Sequence, residues 1–329
     1  MDSKNIIVIG ASAGGISAVN KLVGSFNGLN NVAIFIVIHI SADSNTSILL
    51  GQLQKNAPFP CLLPVDNQIL QHNTIYLAPA DYHMMISENR ILVKRGPYEN
   101  HWRPAIDVLF RSAAASYGNC VTGIILTGML DDGTSGMSAI QRAGGMLMVQ
   151  DPAEAEYEDM PVNVLRNMDV DYSLPLAEMP MVLIDHYLRL DCDHQTAPDD
   201  VRLEAQITQN MSSDVEELKK IGSPTTLTCP DCGGSLMKIK NEKEPRYRCY
   251  TGHSFSALSL EQQQLNNIES SIWVAIRMME ERRNLLNNLA KNEGNIMGRL
   301  ERAQDMVVHI DRLKEMLLNL HQNGDKTSS

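Results

Sequence analysis

The chain has 329 residues, 43% of them apolar, and a formal net charge of −11. That length exceeds what one ordinary core fills, so one domain of roughly 150 to 200 residues plus something smaller is expected. The acidic balance argues against nucleic acid as a partner, because such a surface carries a basic excess, and no apolar run approaches the roughly 18 residues of a membrane span. The first strand follows directly on Met1-Asp2-Ser3-Lys4, which leaves no room for a signal peptide, so a cytoplasmic chain without membrane insertion is expected.

Ile6-Ile7-Val8-Ile9 reads as a strand buried on both faces, stopped by the glycine-rich turn Gly10-Ala11-Ser12-Ala13-Gly14-Gly15 and followed by a helix over 15–23. Such a turn brings Ser12 to the carboxyl edge of a sheet. It also aims the first N–H groups of the helix at the same place, which suits an anion or a developing oxyanion. A second continuously apolar strand spans 32–40, with His39 at its carboxyl end. Strand, helix and strand in about 40 residues make one right-handed crossover unit. Residues 74–77 read as a short strand, 84–86 with 91–93 as a hairpin, and 104–115 as a helix begun by Pro104. Another buried strand at 121–126 ends in Thr127-Gly128-Met129-Leu130-Asp131-Asp132-Gly133, and a helix at 134–142, a strand at 146–149 and helices at 160–168 and 179–189 continue the alternation. The expected fold class is α/β, a doubly wound and mostly parallel sheet over residues 1–190.

Beyond residue 190 the chain turns acidic and punctuated, and 191–225 is expected to be a linker, with 201–211 fitting either a strand or a helix. Residues 226–257 hold Cys229-x-x-Cys232 and, sixteen residues later, Cys249-x-x-x-His253. Two paired knuckles across a short hairpin-like span fit a tetrahedral structural zinc ribbon with three thiolates and one imidazole. A redox Cys-x-x-Cys would not need Cys249 and His253. Cys61, Cys120 and Cys192 read as ordinary thiols. Over 258–322 two apolar stripes at heptad spacing, interrupted at Gly294, predict a helical hairpin or a coiled coil through which the chain can self-associate, and 323–329 is expected to be disordered.

The glycine turn lacks the glycine that a dinucleotide fingerprint wants at the place of Ser12, and the second strand ends in His39 instead of an acid for a ribose. Both departures favour hydrolysis, with serine as nucleophile and histidine as base, and Asp131 or Asp132 supplies an orienting carboxylate at the same sheet edge. Singly, each residue has a plainer reading as a helix cap, a satisfied polar group or a turn. Their joint placement at three strand ends is what points to chemistry.

Gly10 to Gly15, Ile38-His39-Ile40, the run from Tyr76 to Met84, His101-Trp102-Arg103-Pro104-Ala105-Ile106-Asp107-Val108-Leu109-Phe110 and Thr127 to Gly133 resemble, in the same order, the motifs of the chemotaxis protein-glutamate methylesterases. The likeness covers roughly residues 5 to 190. It implies a Ser-His-Asp triad that removes methyl groups from glutamyl esters of chemoreceptors or receptor-like proteins, and that also deamidates glutamine there. By position, Ser12 is the nucleophile, His39 the base and Asp132 the triad acid, with the backbone N–H groups of Ala13 and Met129 as the oxyanion site. The family commonly has threonine where this chain has Ala13. Its members usually begin with a receiver domain, so the resemblance also implies a separate regulator here. Arg103 and His101 are candidates for substrate contact, with a solvated helix-start arginine and a structural histidine as the plainer readings. The rival function is a signalling scaffold that keeps the esterase fold with little turnover.

Overall fold

Continuous apolar runs put a parallel sheet at the centre of the molecule. β1 (Asn5–Ala11) and β2 (Val32–Ile38) are buried along their whole length, as strands covered on both faces must be. The computed structural model describes residues 5–189, 192–211, 214–292 and 296–324. In chain order, β1 and β2 flank α1 (Gly15–Gly24), and α2 (Thr46–Asn56), β3 (Cys61–Leu62), β4 (Gln68–Ile69), β5 (Thr74–Leu77), β6 (His83–Ser87) and β7 (Arg90–Lys94) follow. Then come α3 (Ile106–Tyr117), β8 (Val121–Ile125), α4 (Thr134–Arg142), β9 (Met146–Gln150), α5 (Asp159–Asn167), β10 (Tyr172–Leu174) and α6 (Met179–Arg189).

Seven strands form the main sheet in the order β10-β9-β8-β1-β2-β5-β3, and all of its pairings are parallel. Ile7 and Ile9 of β1 pack toward Val19 and Leu22 of α1 and Leu183 of α6. Ile6 and Val8, on the other face, join Leu109 and Phe110 of α3 and Val164 of α5. The strand order reverses at β1: the chain leaves it through β2 on one side and returns through β8 on the other. A crevice therefore opens at the carboxyl ends of β8, β1 and β2, where ligands bind in sheets of this kind.

Among the described residues, the segment expected as a linker carries regular elements. It holds α7 (Asp199–Asn210) and α8 (Val215–Ile221), and α7 lies against α3. Val201, Ala205 and Ile207 of α7 are buried, and Asp199 and Asp200 occupy its first turn, where the helix dipole favours acids. After α8 a four-stranded antiparallel sheet runs in the order β11 (Gly222–Thr228), β12 (Ser235–Ile239), β13 (Arg246–Cys249) and β14 (Ser254–Ser256). It carries the cysteine knuckles and begins a few residues earlier than expected. A second correction concerns Cys120 and Cys192, which form a disulfide; a 72-residue separation hides such a partnership from local reading.

The chain divides into two compact units, Met1–Leu260 and Glu261–Ser329, so the small sheet shares a unit with the large one. The second unit pairs α9 (Ala257–Asn292) with α10 (Ile296–Gly324) through buried Ile272, Ile276, Ile310 and Leu317, a helical hairpin. The break expected at Gly294, the boundary at residue 190 and residues 325–329 of the tail expected to be disordered lie outside the described residues, while 323 and 324 close α10. No helix among the described residues is long and apolar enough to cross a membrane.

Gly10 shows how tightly the switch point is packed. A Cβ there would sit 2.5 Å from Ile106 Cγ2 and 3.0 Å from Ile125 Cδ1, so the Ile106 side chain would have to shift within a packed core. Gly10→Ala is expected to lower stability by about 1–3 kcal/mol, read as a reduced denaturation midpoint.

Candidate active site

Three neighbouring strand ends place three side chains on one line. Ser12 follows β1, His39 follows β2 and Asp132 lies in the loop after β8. His39 Nδ1 is 3.2 Å from Ser12 Oγ, and His39 Nε2 is 2.7 Å from Asp132 Oδ2. This arrangement calls for the tautomer that donates from Nε2 to the carboxylate and leaves the Nδ1 lone pair facing the serine hydroxyl. His39 and Asp132 are buried while Ser12 stays half-buried, so Ser12 is the least enclosed of the three.

Each member is held from behind. The Trp102 ring stacks on the His39 imidazole at 4.1 Å with 9° between planes, which fixes the ring's plane. Asp132 sits at the N-terminus of α3, where its carboxylate accepts the Ile106 N–H at 2.7 Å and the Asp107 N–H at 3.3 Å, and it also accepts from Asn100 Nδ2 at 3.1 Å. Burial pushes the Asp132 carboxyl up, but the hydrogen bond and charge of His39 and the donors of Ile106 and Asn100 outweigh it and hold the group below its ordinary range. Asp107 goes the other way. Burial, and next the neighbouring Asp132 charge, drive its carboxyl well above its ordinary value.

Ser12 occupies a turn whose own N–H donates to Thr127 O at 3.0 Å. Gly14 takes φ of 73° and starts α1, a left-handed conformation that costs glycine little. Across the crevice, a Cβ on Gly128 would lie 2.0 Å from Met160 Sδ and 2.8 Å from Ser12 Cβ, so only glycine lets the segment before Met129 approach the serine. Among the described residues, neither the Ala13 N–H nor the Met129 N–H has a hydrogen-bond partner. The site thus offers a base-coupled hydroxyl and two uncommitted backbone donors at one sheet edge, an arrangement able to perform acyl transfer.

Residues 7–183 match the family described as CheB methylesterase. The chain belongs to the CheB methylesterase family. It is 34% identical over 184 residues to "protein-glutamate methylesterase/protein-glutamine glutaminase 2" of Methanosarcina mazei, covering 54% of this chain and 50% of that protein. A "putative protein-glutamate methylesterase/protein-glutamine glutaminase" of Leptospira interrogans is 34% identical over 186 residues, 56% of this chain and 94% of its own length. The chain thus spans about half the length of the Methanosarcina relative and nearly all of the Leptospira one. In solved structures, the catalytic domain of Thermotoga maritima CheB methylesterase is similar at 26% identity and a TM-score of 0.53, covering 55% of this chain and 98% of that one.

Other residues singled out in the methylesterase motifs have different places from those expected. Arg103 is not free to steer substrate. Its Nε donates to Asp81 at 2.8 Å, its Nη2 pairs with the same carboxylate, and its Nη1 donates to Gly96 O at 2.8 Å, with the guanidinium stacked over Tyr98 at 4.2 Å. The His101 ring turns toward the small sheet, Nε2 meeting Ser259 O at 3.0 Å and the ring tilting against Phe255. Both are therefore structural by placement. Among the described residues the carboxylate bonded to His39 is that of Asp132 and not Asp131, whose carboxyl lies by Ser256. Sequence reading quoted Trp102 without a role and passed over Asn100, because a stack and a side-chain relay exist only once the loops are folded together.

In β11–β14 the Sγ atoms of Cys229, Cys232 and Cys249 and a ring nitrogen of His253 lie within 4.8 Å of one another, a group that could hold a metal ion. Cys232 Sγ and Cys249 Sγ are 3.8 Å apart, and Cys249 Sγ is 3.6 Å from His253 Nδ1.

Burial, chiefly, raises the Asp131 carboxyl to about 6. A carboxyl raised in the folded state binds more protons there than in the unfolded chain, so stability falls as pH rises from about 4 through about 6. Asp131→Asn is expected to be more stable than the parent at pH 7 by roughly 1–3 kcal/mol, with the gap closing near pH 4 in paired denaturation curves.

Proposed function

We propose that this chain is a serine carboxylic ester hydrolase that removes methyl groups from glutamyl esters on a chemoreceptor or receptor-like signalling protein. The observation that carries this reading is the continuous Ser12–His39–Asp132 line, at 3.2 and 2.7 Å, beside the uncommitted Ala13 and Met129 N–H groups. Ser12 Oγ attacks the γ-carbonyl carbon of the methyl ester while its proton passes to His39 Nδ1. Asp132 holds the ring and stabilises the imidazolium. The two backbone donors receive the oxyanion, a contribution on the order of 3 kcal/mol per donor. Collapse expels methanol, protonated by His39; water, deprotonated by the same ring, then releases glutamate and Ser12. The same steps with ammonia as leaving group deamidate glutamine, the second activity in the relatives' names.

The lining of the site supports a protein substrate. Met129 and Leu130, at the mouth, are exposed and give the rim an apolar character suited to the flank of a receptor helix. The reading includes a cytoplasmic location and self-association through α9 and α10, where Trp273, Met278 and Leu285 are exposed.

The cysteine–histidine group fits zinc. With Zn–S near 2.3 Å and Zn–N near 2.0–2.1 Å, tetrahedral edges are roughly 3.8 Å between sulfurs and roughly 3.6 Å between sulfur and nitrogen. The separations of 3.8 and 3.6 Å match both. Four protein ligands leave no open position, so zinc would order the sheet and would not touch substrate; Asp231, 3.9 Å from His253 Nε2, would orient the imidazole.

Incubation with methylated receptor is expected to release methanol, with Ser12→Ala inactive and Asp132→Asn slowed by about 10³- to 10⁴-fold in kcat. Unchanged release by Ser12→Ala would overturn the assignment. Elemental analysis of purified protein is expected to find about one zinc per chain, lost together with Cys249→Ser.

A further inference from the structure

Asn100 connects the metal-binding sheet to the triad acid. Its position is extreme for a non-glycine residue, with φ of 48° and 4% exposure, and each polar group of its side chain is committed. On one side, the Asn100 N–H donates to Ser254 O at 2.9 Å and its Oδ1 accepts the Ser256 N–H at 2.9 Å. On the other side, its Nδ2 donates to Asp132 Oδ1 at 3.1 Å and to Asp107 Oδ2 at 3.0 Å. Both sides demand the same orientation of the amide, its NH2 toward the Asp107 and Asp132 oxygens and its oxygen toward the Ser256 N–H.

The rest of the junction locks the same turn. Glu99, 2% exposed, accepts from Arg111 of α3 at 3.2 Å and from Arg248 of β13 at 2.7 Å. His101 follows with its bond to Ser259. The strand that holds Asn100 starts at Ser254, directly after His253, and the loop between ligands is closed by the Cys249 N–H on His253 O at 3.0 Å and the Gly252 N–H on Cys249 O at 3.0 Å. The histidine of the cysteine–histidine group and Ser254–Ser256 are thus joined without a break in the chain.

We propose that Asn100 is a positioning residue for Asp132 and that zinc in the small sheet, through β14 and Asn100, sets the reactivity of Ser12. The inference rests on the esterase reading for its consequence, but the brace itself can be tested without substrate. It makes turnover conditional on metal although the metal group takes no part in the chemistry.

The experiment uses full-length protein, zinc-loaded and zinc-stripped by chelation, with two readouts. Hydrogen exchange over residues 98–102 is expected to rise on stripping while β1 and β8 stay protected. The rate of Ser12 phosphonylation by a fluorophosphonate is expected to fall roughly 10- to 100-fold, in stripped wild type and in zinc-loaded Asn100→Ala alike. Stripping Asn100→Ala is then expected to add little, because both changes cut one line; Asn100→Asp, which keeps the acceptor for Ser256 but sets a carboxylate against Asp132, is expected to be slowed even with zinc bound. In methanol release the Asn100 variants should lose kcat with KM nearly unchanged. Unchanged exchange on stripping overturns the brace, and so do effects of stripping and Asn100→Ala that multiply. If wild-type Ser12 proves unreactive while exchange responds to zinc, the esterase reading fails and the brace stands.

Discussion

The buried carboxylate of Asp132 is the point on which three parts of the molecule converge. It takes a hydrogen bond from His39 at the sheet edge, two from the first turn of α3 and one from Asn100. A charge this deep costs several kcal/mol unless donors surround it, so the sheet crevice, the helix start and the 99–101 turn have to stand in one arrangement to keep it ionised. The neighbouring Asp107 shows the alternative outcome: with burial and the Asp132 charge against it, its carboxyl is driven toward the neutral form.

A second buried system holds the small sheet onto the large one. Glu99 and Arg111 from the methylesterase core, Glu204 from α7 and Arg246 and Arg248 from β13 lie in one cluster, with Arg246 also reaching Glu242. Three acids meet three arginines, so the group is balanced. Such clusters add little net stability compared with apolar packing, because desolvation consumes most of the Coulombic gain. Their geometry is nevertheless demanding, since moving one partner leaves another charge buried and uncompensated. Glu204 reaches the cluster from α7, which is why that helix is fixed against the core.

These two systems give the active site a division of labour. The parallel sheet supplies the order of the reacting groups, one per strand end, and α3 supplies the field that favours a negative charge behind the histidine. Trp102 fixes the imidazole plane, and Gly128 brings the Met129 segment up to Ser12. Arg103, with the most conspicuous charge in its motif, is spent on Asp81; its role is to shape the loop that carries Trp102 and Asn100. Met129 and Leu130 leave an exposed apolar rim beside Ser12.

Much of this was legible in the chain itself, for a physical reason. Continuous apolar runs at 6–9 and 32–38 and the largely apolar 121–125 read as buried strands, the glycines after them as tight turns, and parallel connections put every such turn at one edge; Ser12, His39 and an acid of the 131–132 pair follow from local pattern plus that topological rule. The paired Cys-x-x-Cys and Cys-x-x-x-His knuckles are local in the same sense. What local pattern does not contain is the partner of a side chain far away in sequence. The choice of Asp132 over Asp131, the stack of Trp102 on His39, the commitment of Arg103, the Cys120–Cys192 disulfide and the Asn100 link from β14 to the triad each join residues that only the folded chain brings together. Their energies come from burial and from geometry, and neither exists before the sheet closes.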